Sequence, residues 1–350
     1  MSRTSLRAGL HPLRLGFFSA LVRPRALVWL AMLVALALTL GLFGLTQGTF
    51  ALPSSSLGRA LFQPDSLSAE ARYIVQDLRL PRLLMGLLCG AMLGMAGAAM
   101  QSLTRNGLAD PGLIGVKEGC SVAVLLLIFQ FPAVGIVWRP VAGITGGLLT
   151  ALLVVVLARD ISRPRFILTG IGVSWAFAAG MGVFMTTADI RDVQTAMLWL
   201  AGSLHAANWT LLGMAAGWAL PAFILLLCTC RAADVAQLGN PTASGLGVRP
   251  ARLAMLQVLA PVLLTAACVS CVGSIGFVGL IAPHMARFLL RGGQASVLSG
   301  SAVLGALLVL VADSIGRLAF LPLQLPAGIV ISLIGGPFFL ALLWQRRDRF

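Results

Sequence analysis

The sequence predicts an all-α polytopic membrane protein with about ten transmembrane helices. Of its 350 residues, 59% are hydrophobic and only 10% are charged, and 39 are glycine. Apolar runs long enough to cross a bilayer follow one another along almost the whole chain, and they leave no room for a soluble domain. We therefore expect one transmembrane domain over residues 27–345, between a cytoplasmic tail at residues 1–26 and a second tail at residues 346–350.

The predicted elements follow the alternation of apolar and polar stretches. Residues 1–26 carry arginine and serine but no acid, and Pro12 and Pro24 argue against a long helix there. A stretch rich in Ser, Pro and Gly follows the first span, and a short apolar stretch at residues 193–204 predicts a peripheral helix on the outer face. The predicted spans are residues 27–46, 82–103, 112–131, 137–158, 166–187, 209–230, 252–273, 275–290, 296–319 and 327–344.

Glycines at helical spacing indicate where these helices pack closely. The pairs are Gly90/Gly94, Gly143/Gly147 and Gly213/Gly217. Small residues four positions apart let two backbones approach each other. Ordinary packing within a helical bundle accounts for all three pairs.

The basic residues show which side of the membrane each loop faces. The formal net charge is +14, but the 25 Lys and Arg residues are scattered in short loops and at segment ends. This pattern does not predict nucleic-acid binding, which would want a basic face or interleaved aromatics. With the N-terminus inside, most of these residues fall on the cytoplasmic side, so both termini are predicted to be cytoplasmic.

A polar island at residues 231–252 interrupts the apolar runs on the cytoplasmic side. Asn240 is a good N-cap, Pro241 suits the first helical position, and Gly245 or Gly247 offers a left-handed cap. The helix would have about two turns, which is marginal in water unless Leu238 and Leu246 pack against something. A connecting loop and a docking element for a soluble partner both remain open from these residues alone.

Several kinds of chemistry are missing from the sequence. The only lysine, Lys117, follows Val116, so the chain has no phosphate-binding P-loop. The acids fall in loops or towards segment ends, which disfavours a self-powered carrier with a carboxylate near the midplane. His11, His205 and His284 show no ligand spacing, and Cys268 and Cys271 lie inside an apolar run that indicates helix packing. We therefore predict no catalytic residue, no metal site and no cofactor on this chain.

Motifs spread over residues 40–345 resemble the FecCD-type permeases, the iron-siderophore, haem and vitamin B12 family of ABC importers. In the front half they are Arg79-Leu-Pro-Arg82, Ala96-Gly97 through Gln101, and Arg105-Asn-Gly-Leu-Ala-Asp-Pro-Gly112 with Gly115. In the back half they are Leu238-Gly239, Thr242-Ala243, Leu246-Gly247-Val248, Gly276-Phe-Val-Gly279, Pro283-His284, Ala312-Asp313, Arg317, Leu325-Pro326 and Gly335-Gly-Pro337.

The resemblance implies a type II ABC importer permease fold with two inverted four-helix repeats. It also implies a dimer with a second permease copy or a paralogue, two ATP-binding subunits that hold the ATP, and a periplasmic or lipoprotein substrate-binding protein. The implied location is the bacterial inner membrane, in contact with its lipids. The stretch Trp199-Leu-Ala-Gly-Ser-Leu204 looks closer to the siderophore branch, so the expected cargo is a ferric siderophore. Haem and cobalamin remain alternatives, as does a membrane scaffold that transports nothing.

The resemblance also assigns roles to residues. The ATPase-coupling residues would be Leu238, Gly239, Asn240, Thr242, Ala243, Leu246 and Gly247, although Asn240-Pro241 replace acids that are usual in the family. Arg79, Arg82 and Arg317 would dock the binding protein, and Ser162, Arg163 and Pro164 would form a cytoplasmic gate.

Two of these places allow another interpretation. Asp313 and Arg317, four residues apart on one helix, would pair with each other if Arg317 does not dock. Lys117 and Glu118 stand where small polar residues are common, and a solvated boundary is favoured there over a subunit contact.

Overall fold

A computed structural model describes residues 11–15, 18–22, 24–48, 57–63, 66, 68–161, 164–320 and 323–346. The membrane domain is all-α, and a short antiparallel hairpin of β1 (His11–Leu15) and β2 (Phe18–Val22) precedes it. The longer helices are α1 (Pro24–Thr46), α4 (Leu80–Thr104), α5 (Val116–Gln130), α6 (Trp138–Ala158), α7 (Pro164–Thr187), α9 (Trp209–Ala236), α11 (Pro250–Val272), α12 (Val278–Leu290), α13 (Gln294–Leu318) and α14 (Ala327–Arg346). The shorter ones are α2 (Leu57–Phe62), α3 (Ala69–Arg72), α8 (Ile190–Leu200) and α10 (Asn240–Gly245).

Eight helices in the described part of the chain are long and apolar enough to cross a membrane. The two remaining predicted spans are shorter helices: α5 has 15 residues and α12 has 13. At 1.5 Å per residue each covers about 20 Å of a hydrocarbon layer of about 30 Å. A segment that is not α-helical precedes each of them. Before α5 it is the 3₁₀ turn Pro111–Ile114, and before α12 it is residues 273–277.

The second span begins well before its predicted start. Helix α3 continues through a π-helical segment, Tyr73–Arg79, directly into α4, so that the apolar helix runs from Ala69 to Thr104. The short helix expected on the outer face is present as α8.

Two sets of four consecutive long helices, α4 to α7 and α11 to α14, repeat the same contacts. In the first set α5 packs on α6, α6 on α7 and α5 on α7; in the second, α12 packs on α13, α13 on α14 and α12 on α14. Between the sets, α4 contacts α12 and α13 just as α11 contacts α5 and α6, and α4 and α11 pack on each other. The first helix of one set therefore corresponds to the first helix of the other.

The two sets are inverted with respect to each other. Helix α4 runs antiparallel to α13, because Gly86 lies beside Val309, Gly90 beside Gly305 and Gly94 beside Ser301. Since α11 and α13 are the first and third members of one up-and-down set, α4 and α11 run in opposite directions. The structure thus contains the two inverted four-helix repeats that the resemblance implies.

Glycines make close contacts at the two equivalent interfaces, that of α4 with α13 and that of α6 with α11. A Cβ on Gly90 or Gly94 would clash with the backbone of α13. A Cβ on Gly143 would clash with Ser270 of α11, and one on Gly147 would clash with Cys120 of α5. The prediction of close packing is confirmed for these two pairs. It is wrong for Gly213 and Gly217, which face open space on α9.

Candidate functional site

The polar island contains the short helix α10, whose N-cap differs from the predicted one. Gly239, not Asn240, is the N-cap residue, at φ +103°, and Asn240 is already helical, with Pro241 in the first turn. Among the amino acids only glycine adopts such a φ angle without strain, so Gly239 sets the direction in which the chain enters α10. Gly247, at φ +83°, follows the helix, and the left-handed residue expected at its end is confirmed there.

One face of this helix is anchored and the other is free. Ala243 is fully buried and its carbonyl oxygen accepts a hydrogen bond from the Val248 amide at 3.0 Å. Leu238 and Leu246 are 65% and 62% exposed. The apolar pair that a two-turn helix would be expected to bury therefore projects from this chain.

Residues next to the predicted gate lie near this island. Ser162 and Arg163 lie outside the described residues, and Pro164 is the first residue of α7. Ile161 and Ile167 line a cavity of about 420 Å³ together with Asn240, the first residue of α10, and Pro250, the first residue of α11. A displacement of α10 would therefore act on the space that Ile161 and Ile167 line.

Two of the three arginines expected to dock a binding protein cap the C-terminal end of helix α1. The Arg79 guanidinium donates to the Leu45 carbonyl oxygen at 2.7 Å, and Arg317 donates to those of Gly44 and Gln47 at 2.8 and 3.3 Å. The last carbonyls of a helix have no intrahelical partner and carry its partial negative charge. The two guanidinium groups satisfy those carbonyls, and Arg79 is buried in doing so.

The third arginine, Arg82, holds α4 to α13. Its Nη2 lies 2.9 Å from Asp313 Oδ1 and its Nε is 3.1 Å from Oδ2, while Nη1 donates to Gln324. The alternative pairing of Asp313 with Arg317 is wrong, because Asp313 pairs with Arg82 across the two helices. The docking role of the three arginines remains a prediction.

Lys117 and Glu118 lie in the first turn of α5 and are half-buried. Lys117 Nζ lies 3.7 Å from Asp110 Oδ2, and their side chains are 17% and 15% exposed. Glu118 Oε2 is buried and has no hydrogen-bond partner among the described residues. The two interpretations of this place, a solvated boundary and a subunit contact, both remain predictions. The position of Glu118 at the start of α5 agrees with the expectation that the acids lie in loops or towards segment ends.

The described residues offer no group of three or more His, Cys, Asp or Glu side chains that could hold a metal ion. Cys268 and Cys271 are buried among apolar side chains of α11, and all six cysteines are free. Cys268 and Cys271 therefore serve helix packing, and we look for function in the surfaces and cavities of the described residues.

Comparison with known proteins agrees with this fold along nearly the whole chain. The FecCD transport family matches residues 33–345. The chain is 36% identical to the iron-uptake system permease protein FeuC of Bacillus subtilis, over 91% of this chain and 97% of that protein. It is 38% identical to the achromobactin transport system permease protein CbrC of Dickeya dadantii, over 91% of each.

A solved structure shows the same architecture. The inward-facing conformation of a metal-chelate type ABC transporter superposes with a TM-score of 0.81 at 28% identity, over 91% of this chain and 99% of that one.

Proposed function

The chain belongs to the FecCD transport family, and from this premise we propose that it carries a ferric siderophore across the bacterial inner membrane. Its general role follows from the family: it is the permease subunit of an ABC importer, and ATP hydrolysis takes place on partner subunits. The observation that carries the cargo assignment is the similarity to permeases whose names specify iron uptake and achromobactin.

The absence of a metal-ligand group among the described residues supports a chelated cargo over a bare ion. A bare ferric ion would want oxygen or imidazole ligands, whereas a chelate brings its own. Haem and cobalamin are also enclosed metals, so this argument does not separate them from a siderophore.

The assembly that we propose has partners on both sides of the membrane. We call residues 238–247 the coupling segment. Two ATP-binding subunits would contact its exposed Leu238 and Leu246, and these subunits would bind the ATP. A substrate-binding protein would dock at the outer ends of α4 and α13, where Arg82 retains 14% exposure. Both termini of the chain would lie in the cytoplasm.

A second permease chain, identical or paralogous, would cover helices α7 and α14. These helices are counterparts in the two repeats, and both expose large apolar side chains, including Leu168, Trp175 and Val183 of α7 and Leu333 and Leu340 of α14. Lipid would cover the remaining apolar surface.

Transport by the reconstituted complex tests the cargo. The permease, its ATPase and its binding protein would be placed in vesicles and offered radiolabelled ferric siderophores, haem and cobalamin separately. We expect ATP-dependent uptake of at least one ferric siderophore. Uptake of haem or cobalamin alone would contradict the siderophore assignment, and binding-protein-independent ATPase activity without any uptake would favour a scaffold.

A further inference from the structure

A cavity with mostly apolar walls and a few charged groups lies where the interrupted helices α5 and α12 begin. Its volume is about 440 Å³, and its walls come from both inverted repeats. Gly279, in the first turn of α12, lies against Asp110 and Pro111, so the N-terminal ends of α12 and of the 3₁₀ turn before α5 meet there. The lining includes Asp110, Lys117, Glu118, Ser174, Trp175, Phe277 and Phe339.

The charged groups of this cavity are incompletely satisfied within the described chain. Asp110 Oδ2 accepts a hydrogen bond from the Gly112 amide at 2.9 Å and lies 3.7 Å from Lys117 Nζ, which is an ion pair but too long for a hydrogen bond. Glu118 Oε2 has no donor. Buried groups of this kind normally find a partner, and a partnerless one calls for an explanation.

The cavity opens between helices that no described part of this chain covers. Ser174 and Trp175 belong to α7 and Phe339 to its repeat counterpart α14, and Trp175 is 72% exposed. In membrane transporters, interrupted helices whose N-termini meet at a repeat interface commonly form the place where the cargo is held. The partial positive charge of such helix ends favours anionic oxygens.

We propose that this cavity is a contact site for the cargo, and that it recognises a ferric chelate carrying hydrogen-bond donors beside its anionic oxygens. Lys117 would donate to a hydroxamate, catecholate or carboxylate oxygen, and Glu118 would accept from an amide N–H or a hydroxyl of the same molecule. Trp175 and Phe277 would cover its apolar parts. This inference rests on the proposed transport of ferric siderophores.

The test compares two matched cargoes in vesicles that hold the complete complex. One is a ferric tris-hydroxamate with secondary amide N–H groups, and the other is its N-methylated analogue, which lacks those donors. We expect the wild-type complex to import the first at least fivefold faster. Glu118→Leu should reduce this ratio to near one, because the acceptor is gone, and Lys117→Met should slow uptake of both cargoes.

Controls separate this site from the rest of the transporter. Glu70→Gln changes the only other glutamate, which is exposed on α3, and should keep the wild-type ratio. Glu118→Gln preserves shape and one acceptor, so it serves if Glu118→Leu does not assemble, and it should give an intermediate ratio. Basal ATPase activity and binding-protein association should be unchanged in Glu70→Gln.

Two different failures can be told apart. Equal ratios in the wild type, Glu118→Leu and Glu118→Gln, with uptake intact, would overturn the contact site and leave siderophore transport standing. A wild-type complex that imports haem or cobalamin but no ferric chelate would instead overturn the proposed function on which the inference depends.

Discussion

At the scale of single residues, the outer arginines make contacts that stabilise the fold, although their sequence motif suggests a docking role. Arg317 reaches from α13 to the last carbonyls of α1. The motif identified these arginines, but the carbonyls they bind are more than 30 residues away in sequence for Arg79 and about 270 for Arg317. Periodicity within one helix cannot reveal such partners.

Replacement of Arg317 should therefore destabilise the protein. In Arg317→Met two backbone carbonyls at the end of α1 lose a charged donor, and each unsatisfied buried acceptor costs about 1–3 kcal/mol. We expect a lower midpoint of thermal unfolding in detergent. Arg191→Met, at an exposed position of α8, should leave the midpoint unchanged, and equal midpoints for both variants would contradict the role of Arg317 at α1.

The Arg82–Asp313 pair allows docking to be separated from stability. Arg82→Gln and Asp313→Asn break the same ion pair, so both should lower thermal stability to a similar extent. Only Arg82→Gln removes a cation from the outer surface, whereas Asp313→Asn frees it. If Arg82 docks the binding protein, Arg82→Gln weakens association at low salt and Asp313→Asn does not. Similar association constants for the two variants would leave Arg82 with a structural role alone.

At the scale of helices, α4 and α13 make one of the close backbone contacts of the fold. A Cβ at Gly94 would meet the backbone oxygen of Ser301, which cannot rotate away. Gly94→Ala should thus separate the two helices and lower stability by about 1–3 kcal/mol, the usual cost of overpacking. Gly213→Ala is the matched control, because nothing lies within 4 Å of the new methyl group and alanine favours the helix. Thermal unfolding of both variants measures the difference, and equal losses would refute the close packing.

The coupling segment is tested through its exposed leucine. Leu246→Asp places a charge on the surface that should be buried against an ATPase subunit, and an unpaired buried charge costs several kcal/mol. We expect the ATPase to be lost during co-purification and transport to stop, while Leu246→Met, of similar volume and polarity, retains both. Intact assembly and transport with aspartate would show that α10 is not the coupling element.

The helices themselves were largely predictable, and the reasons for the exceptions are physical. Composition and hydropathy fix the long spans because the bilayer demands apolar segments of a set length. The interruption before α5 was harder to foresee, since Lys117 and Glu118 are the only charged residues in the run at residues 112–131. Residues 275–290 form a short run that contains Pro283, which indicates a tilted or broken helix. Asn240 looked like the N-cap from its side chain, but the positive φ of Gly239 placed the helix start one residue earlier.

Burial of Lys117 and Glu118 depends on the whole fold. In sequence they adjoin the inner end of a span, which suggests water, but the loop after α4 folds back into the protein, where Pro111, Gly112 and Ile114 are buried. The one signal in the sequence was that a charged pair stands where small polar residues are common in the family. The cavity itself forms only where the two repeats meet, so the sequence of one segment could not predict it.

At the scale of the whole molecule, the inverted repeat leaves two counterpart helices, α7 and α14, with a face that no other described residues cover. In a Cys228→Ser background, which removes the exposed cysteine of α9, single cysteines at Leu168, Trp175 or Val183 of α7 should cross-link to a second permease chain under mild oxidation. Cysteines at Leu220 or Ile224 of α9, which are 59% and 53% exposed, should not, because lipid covers that face. Cross-linking through α9 with none through α7 would place the second chain elsewhere, and the cargo cavity between α7 and α14 would then open to lipid rather than to a transport path.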